Sequence, residues 1–100
     1  MSRFTMEELA SCRGADGGPL HIAVRGDVYD VGSARDFYGP DGPYHAFAGR
    51  ECSRALALMK VEVKECNDRL EDLDEKAMKV LDDWIKKFNA KYPIVGQVVK

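Results

Sequence analysis

The clearest periodicity in the chain lies between Ala77 and Phe88, where Met78, Leu81, Trp84, Ile85 and Phe88 recur at steps of three and four residues. That spacing gathers them on one face and predicts a helix with a single buried side. Asp74 stands where an N-cap is expected, Lys86 and Lys87 suit the negative C-terminal end of the helix dipole, and Pro93 ends the segment. Residues 94–99 then read as a closing strand. A different period governs the N-terminal third. Leu20, Ile22 and Val24 alternate along one face of a half-buried strand, and Gly26-Asp27 reads as a two-residue hairpin turn into a second strand over residues 28–31.

Between these elements the pattern is shorter-ranged. Phe4-Thr5-Met6-Glu7-Glu8-Leu9 opens a helix in which Thr5 is the N-cap, Glu8 completes a capping box and Phe4 staples onto Leu9; the glycines at 14–18 end it. Gly32 or Ser33 starts a helical turn through Phe37, and a second short helix runs from Tyr44 to Ala48 until Gly49 breaks it. A longer helix is expected from about Glu51, with Leu56 and Met59 on its inner side. Residues 60–75 are densely charged and predict a solvated connection of broken helix, relieved only by Val61, Val63, Leu70 and Leu73. The expected class is α+β: a small sheet made of the hairpin and the closing strand, with the helices of residues 34–59 forming a pocket that stands on it.

Composition narrows the function. The 100 residues predict a single domain over 1–100, and 45% apolar against 32% charged is ordinary for a globular chain. A net charge of -2 without a basic stripe argues against nucleic acid. The first residues have no apolar stretch of the signal-peptide kind, and no run approaches a membrane span. Cys12, Cys52 and Cys66 are odd in number and lack CxxC spacing, which reads as reduced thiols in a cytosolic-type compartment. Neither His21 nor His45 has zinc-ligand spacing from a cysteine. Arg25-Gly26-Asp27 spells an integrin tripeptide, but in this context it reads as the turn. Ser33 and Ser53 have no nucleophile-elbow setting, the carboxylates of residues 62–83 read as a solvated face, and no phosphate-binding glycine motif occurs. An enzyme with its own nucleophile is not supported.

Chemistry concentrates instead at Tyr38-Gly39-Pro40-Asp41-Gly42-Pro43-Tyr44, two phenols bracketing a stiff Gly/Pro turn. A phenolate is one of the few side chains that hold haem iron. The local pattern fits either such a ligand or a packed aromatic in a surface turn.

These blocks, together with Val28-Tyr29-Asp30-Val31, Phe47-Ala48-Gly49-Arg50, Ser53-Arg54-Ala55-Leu56 and Lys91-Tyr92-Pro93-Ile94-Val95-Gly96, resemble the membrane-associated progesterone receptor family, which has the cytochrome b5-like haem/steroid-binding fold. The resemblance runs in order from about Phe4 to Val99. It implies haem b as cofactor, Tyr44 as the axial phenolate on iron, Tyr38 as a second phenol contacting the haem, and Lys91 and Tyr92 reaching it from the other side of the pocket. The two-histidine clamp of cytochrome b5 is absent, and the 39–43 loop replaces its His-Pro-Gly-Gly turn. The charged 60–75 stretch resembles the insertion that separates this family from cytochrome b5.

The chain departs from the family pattern twice. His45 follows the ligand tyrosine where a glycine is usual, and stands either as an exposed histidine or as a group for a propionate or the iron; Glu51-Cys52 replaces Asp-Ala, with Cys52 expected to pack in a helix. The implied function is a non-enzymatic haem-binding module that supplies or modulates membrane haem monooxygenases, in the cytoplasm or on the cytosolic face of the endoplasmic reticulum. A free phenol ionises near pH 10, and ferric iron shifts that balance by deprotonating the group that binds it. A single anionic ligand favours the ferric state and leaves one iron face open, which suggests a haem-linked homodimer. The alternatives are a steroid or small-lipid carrier and an adaptor without a functional cofactor.

Overall fold

The computed structural model describes residues 2–99. Its elements, in chain order, are β1 (Ser2–Phe4), α1 (Met6–Ala10), β2 (His21–Val24), β3 (Asp27–Asp30), α2 (Arg35–Tyr38), α3 (Ser53–Leu58), α4 (Glu75–Lys91) and β4 (Ile94–Val98), with single 3-10 turns at Ala15–Gly17, Gly32–Ala34, His45–Phe47 and Val63–Glu65. The strands form one mixed sheet in the order β1-β4-β3-β2. β2 and β3 are an antiparallel hairpin, β3 pairs antiparallel with β4, and β4 pairs parallel with β1.

Each face of the sheet is covered differently. Leu20, Ile22 and Val24 point with Tyr29 and Val31 into the larger cluster, where α3 and α4 contribute Ala55, Leu56, Leu81 and Phe88. Ala23 and Val28, one residue out of phase, turn to the opposite face and meet Leu9 of α1 with Phe4, Val95 and Val98. The alternation expected for the hairpin is therefore present, with both of its faces buried.

Local signals explain most of the helices. Thr5 Oγ1 accepts from Glu8 N and Glu8 Oε1 accepts from Thr5 N, both at 3.0 Å, which is the reciprocal capping box. Asp74 Oδ1 accepts from Ala77 N at 2.8 Å and starts α4. That helix runs three residues beyond Phe88, to Lys91, with Leu81 and Phe88 buried and Met78, Trp84 and Ile85 half-buried along the predicted face.

Four expectations need correction. The hairpin turn is Arg25-Gly26, not Gly26-Asp27, because Val24 pairs with Asp27. Both turn residues are left-handed, at φ 49° and 87°, the mirror-image turn that suits strand twist. Arg25 has no glycine-like freedom there. Its N–H is instead held by Glu51 Oε1 at 2.8 Å and Ser53 Oγ at 2.7 Å. The helix expected from Glu51 begins only at Ser53, since the backbone at Glu51 runs beside β2 and Cys52 N donates to Ala23 O. Met59 is not an inner helical residue: α3 ends at Leu58, Met59 is left-handed at φ 55°, and its side chain is 69% exposed. The predicted 44–48 helix is one 3-10 turn.

The 60–74 segment carries only the 3-10 turn at Val63–Glu65, as a broken connection should, yet it is anchored. Arg54 of α3 grips it, with Nη1 2.6 Å from Asp72 Oδ1 and 3.0 Å from Arg69 O, and Nε 3.6 Å from Glu65. Cys66, Leu70 and Leu73 tuck against the main core from the same segment.

Candidate functional site: a tyrosine-lined apolar hollow

The loop after α2 returns on itself. Tyr44 N donates to Phe37 O at 2.8 Å, Gly42 N to Gly39 O at 2.9 Å and Gly39 N to Arg35 O at 2.8 Å. Gly42 is required by this close return, because a Cβ there would run into the Phe37 carbonyl. Closing the loop sets the two phenols side by side, with the Tyr38 and Tyr44 ring centroids 5.9 Å apart. His45 Nδ1 lies 3.1 Å from Tyr38 O. A carbonyl can only accept, so that nitrogen carries the hydrogen.

Tyr38 and Tyr44 face a hollow of about 180 Å³, completed by Phe47, Ala55, Leu56, Met59, Val61 and Trp84. Its walls come from the 39–47 loop, α3, the residues after α3, and α4. Tyr44 stands at the mouth, 39% exposed, lying flat on Phe47 with 6° between the ring planes and also stacked on Phe37. Tyr38 is buried behind it, edge-on to Phe88 and Tyr92 at 6.4 and 6.5 Å. Among the described residues, no protein group hydrogen-bonds the hydroxyl of Tyr38, Tyr44 or Tyr92, whereas Tyr29 donates to Asn89 Oδ1 at 2.7 Å.

The electrostatics separate the phenols. Burial pushes the Tyr38 phenol up to about 12, reinforced by the neighbouring phenols of Tyr92 and Tyr44 and the Cys52 thiol. Tyr38 is therefore a neutral O–H at ordinary pH. Burial raises Tyr92 as well.

The structure brings Tyr38, Tyr44 and Tyr92 into one aromatic cluster. Lys91 is exposed at the end of α4 and, with Tyr92, lines a neighbouring hollow beside Ser33, Ala34, Asp36 and Phe37. Sequence patterns did not single out Phe47, Trp84 and Val61 as wall residues. Trp84 carried the only usable signal, its place on the apolar face of α4, and that face also serves the core.

The sequence and fold were compared with known proteins. The family model described as Cytochrome b5-like Heme/Steroid binding domain matches residues 5–99. The chain belongs to this family. Its relatives there include Probable steroid-binding protein 3 of Arabidopsis thaliana, 44% identical over 96% of this chain and 97% of that protein. Membrane-associated progesterone receptor component 2 of Homo sapiens is 39% identical over 97% of this chain but only 45% of its own length. The chain likewise spans 38% of Membrane steroid-binding protein 2 of Oryza sativa subsp. japonica. A solved Arabidopsis thaliana protein with a cytochrome b5 like fold superposes with a TM-score of 0.90 at 42% identity, covering 100% of this chain and 93% of that one. The relatives bear out the progesterone receptor resemblance, and their names describe binding proteins. Among the described residues no helix is long and apolar enough to cross a membrane.

Proposed function

We propose that this chain is a non-covalent haem-binding module in which the Tyr44 phenolate is the axial ligand to iron. The observation that carries the reading is the Tyr44 phenol itself. It sits at the open edge of an apolar hollow, and its hydroxyl has no protein partner among the described residues.

The residues fit such a group in kind. Aromatic and aliphatic walls suit a flat apolar macrocycle, and a partnerless phenol oxygen suits a hard ferric ion. Tyr38, held as a neutral O–H, serves as hydrogen-bond donor beside the ligand oxygen rather than as a second anion. Tyr92 meets Tyr38 edge-on, and Lys91 beside it lines the neighbouring hollow, from which its ammonium would suit a propionate. The hollow of about 180 Å³ is smaller than the roughly 300–1,000 Å³ of common ligand sites. A bound macrocycle would therefore need the hollow to widen at its open edge, where Tyr44 and Met59 are the exposed lining residues. When bound, the haem supplies redox and small-molecule ligand chemistry; the protein fixes its ligand and its dry surroundings. On this reading the module supplies haem to membrane haem monooxygenases, or modulates them, at the cytosolic face of the endoplasmic reticulum. Support for partner and place comes from the family resemblance alone.

Trp84, the sole tryptophan, lines the hollow and reports on it directly. Titrating the apo-chain with hemin should quench Trp84 fluorescence and produce a high-spin ferric spectrum, which Tyr44→Phe abolishes. An unchanged spectrum in Tyr44→Phe overturns the ligand assignment. Haem-linked dimerisation predicts a larger sedimenting mass with haem than without; equal masses refute it.

A steroid-carrier reading draws on the largely apolar lining of the hollow and on the relatives' names. It predicts Trp84 quenching by a steroid in the absence of haem, preserved in Tyr44→Phe.

A further inference from the structure

Behind the tyrosine hollow, two thiols from different segments converge. Cys52, fully buried, directs Sγ at Phe47 O, 3.3 Å away, and Cys66 of the 60–74 segment places Sγ between Glu62 O of its own turn, at 3.4 Å, and Ala46 O, at 3.7 Å. The Ala46 and Phe47 carbonyls belong to consecutive residues, so the two sulfurs are brought to one place by one turn of backbone. Cys66 also packs on the core cluster that contains Cys52. The third thiol, Cys12, is occupied by its own helix, with Sγ 3.5 Å from Glu8 O.

We propose that Cys52 and Cys66 form a thiol–disulfide exchange site that takes low-molecular-weight disulfides. Access comes through a second hollow of about 320 Å³, lined by Met6, Gly26, Glu51, Cys66, Asn67 and Val98 and sharing no residue with the tyrosine hollow. Cys66 is the thiol that opens to it, and the neighbouring Cys52 S–H, which favours the Cys66 thiolate, lowers its pKa below that of an ordinary thiol against the effect of burial, with the Arg50 guanidinium helping. The Cys66 thiolate attacks a disulfide RSSR, forming Cys66–S–SR and releasing RS⁻. Cys52 then gives up its proton and attacks the Cys66 sulfur, expelling the second RS⁻. The two cysteines lose two electrons and two protons in all, and one disulfide becomes two thiols.

The product ties the 60–74 segment covalently to the start of α3. It also withdraws both S–H donors from the Ala46 and Phe47 carbonyls, in the turn on which Tyr44 rests. The inference stands on the thiols alone and holds whether or not haem binds.

The test uses the apo-chain equilibrated with oxidised and reduced glutathione in varied ratio, then denatured, alkylated and weighed. The expected result is a monomer that takes up one alkyl group where the fully reduced chain, with three free thiols, takes up three, with a 52–66 linked peptide after proteolysis. Cys12→Ser should keep this oxidation and Cys66→Ser should abolish it. Cys52→Ser should stop at the glutathione mixed disulfide on Cys66. A mixed disulfide alone in the wild type, a link involving Cys12, or intermolecular dimers as the first product would each overturn the proposal. So would three unreacted thiols at the most oxidising ratio.

Discussion

The imidazole Nδ1 of His45 lies 3.1 Å from the backbone oxygen of Tyr38, so the residue beside one phenol is tethered to the main chain of the other. This contact gives the His45 side chain a structural role without assigning it to iron. His45→Ala should lower stability by about 1 kcal/mol, the usual net worth of one such bond, as read by urea unfolding. The hemin spectrum of the variant should stay high-spin, and a change of spin state on substitution would place the imidazole on the iron instead.

Phe88 joins the core to the site. Its ring meets Tyr29, Tyr38, Trp84 and Tyr92 edge-on at 5.3 to 6.4 Å, and it is 2% exposed. Phe88→Ala should cost about 3–5 kcal/mol and, at temperatures where the variant is still folded, weaken hemin binding by loosening Tyr38. A chain that unfolds within about 1 kcal/mol of wild type would contradict this placement.

Glu51 should make the chain more stable in mild acid. Burial raises its carboxyl above the ordinary value, against the lowering effect of hydrogen bonds from Ser53 and Arg25. The folded state thus holds this proton more tightly than the unfolded state. The stabilisation is fully present below the unfolded carboxyl value of about 4.3 and is lost as pH rises through the folded one. Urea midpoints of wild type minus Glu51→Gln should therefore fall as pH is raised from 4 to 7. Parallel profiles would refute it.

His21 should act in the opposite direction. Its Nδ1 is buried with no hydrogen-bond partner among the described residues and its ring packs edge-on against Phe4; burial lowers its pKa, with Asp30 opposing. Stability from the neutral ring is present above the unfolded value of about 6.5 and is lost as pH falls through the lowered folded one. Wild type minus His21→Leu should decline between pH 7 and pH 5 in the same unfolding measurement, and a flat difference would remove the effect.

How far the sequence could be read depended on the range of each interaction. The α4 face, the Asp74 cap and the Thr5–Glu8 capping box are local, and the structure carries all of them. The hairpin turn was displaced by one residue because Arg25 is held left-handed by Glu51 and Ser53, more than twenty residues away. β1 gave no signal: Ser2-Arg3-Phe4 is too short to alternate, and it is a strand only because β4 lies beside it. Met59 was misplaced by extending a helical period one residue past the end of α3. At the site, the two phenols were legible because one loop carries both. The hollow was not, since Phe47, Leu56, Val61 and Trp84 meet there from separate segments.

The position of β4 has a kinetic consequence. It is the last strand in sequence, yet it lies between β1 and β3, so the sheet has no continuous hydrogen-bonded path without it. Ser2 must find Gly96 across nearly the whole chain, a closure of the kind that slows folding. Until that happens the β2–β3 hairpin can form but β1 has no partner strand. Assembly of the full sheet on a ribosome therefore waits for residues 94–98 to emerge, and with it the packing of Val95 and Val98 against Leu9 and Phe4.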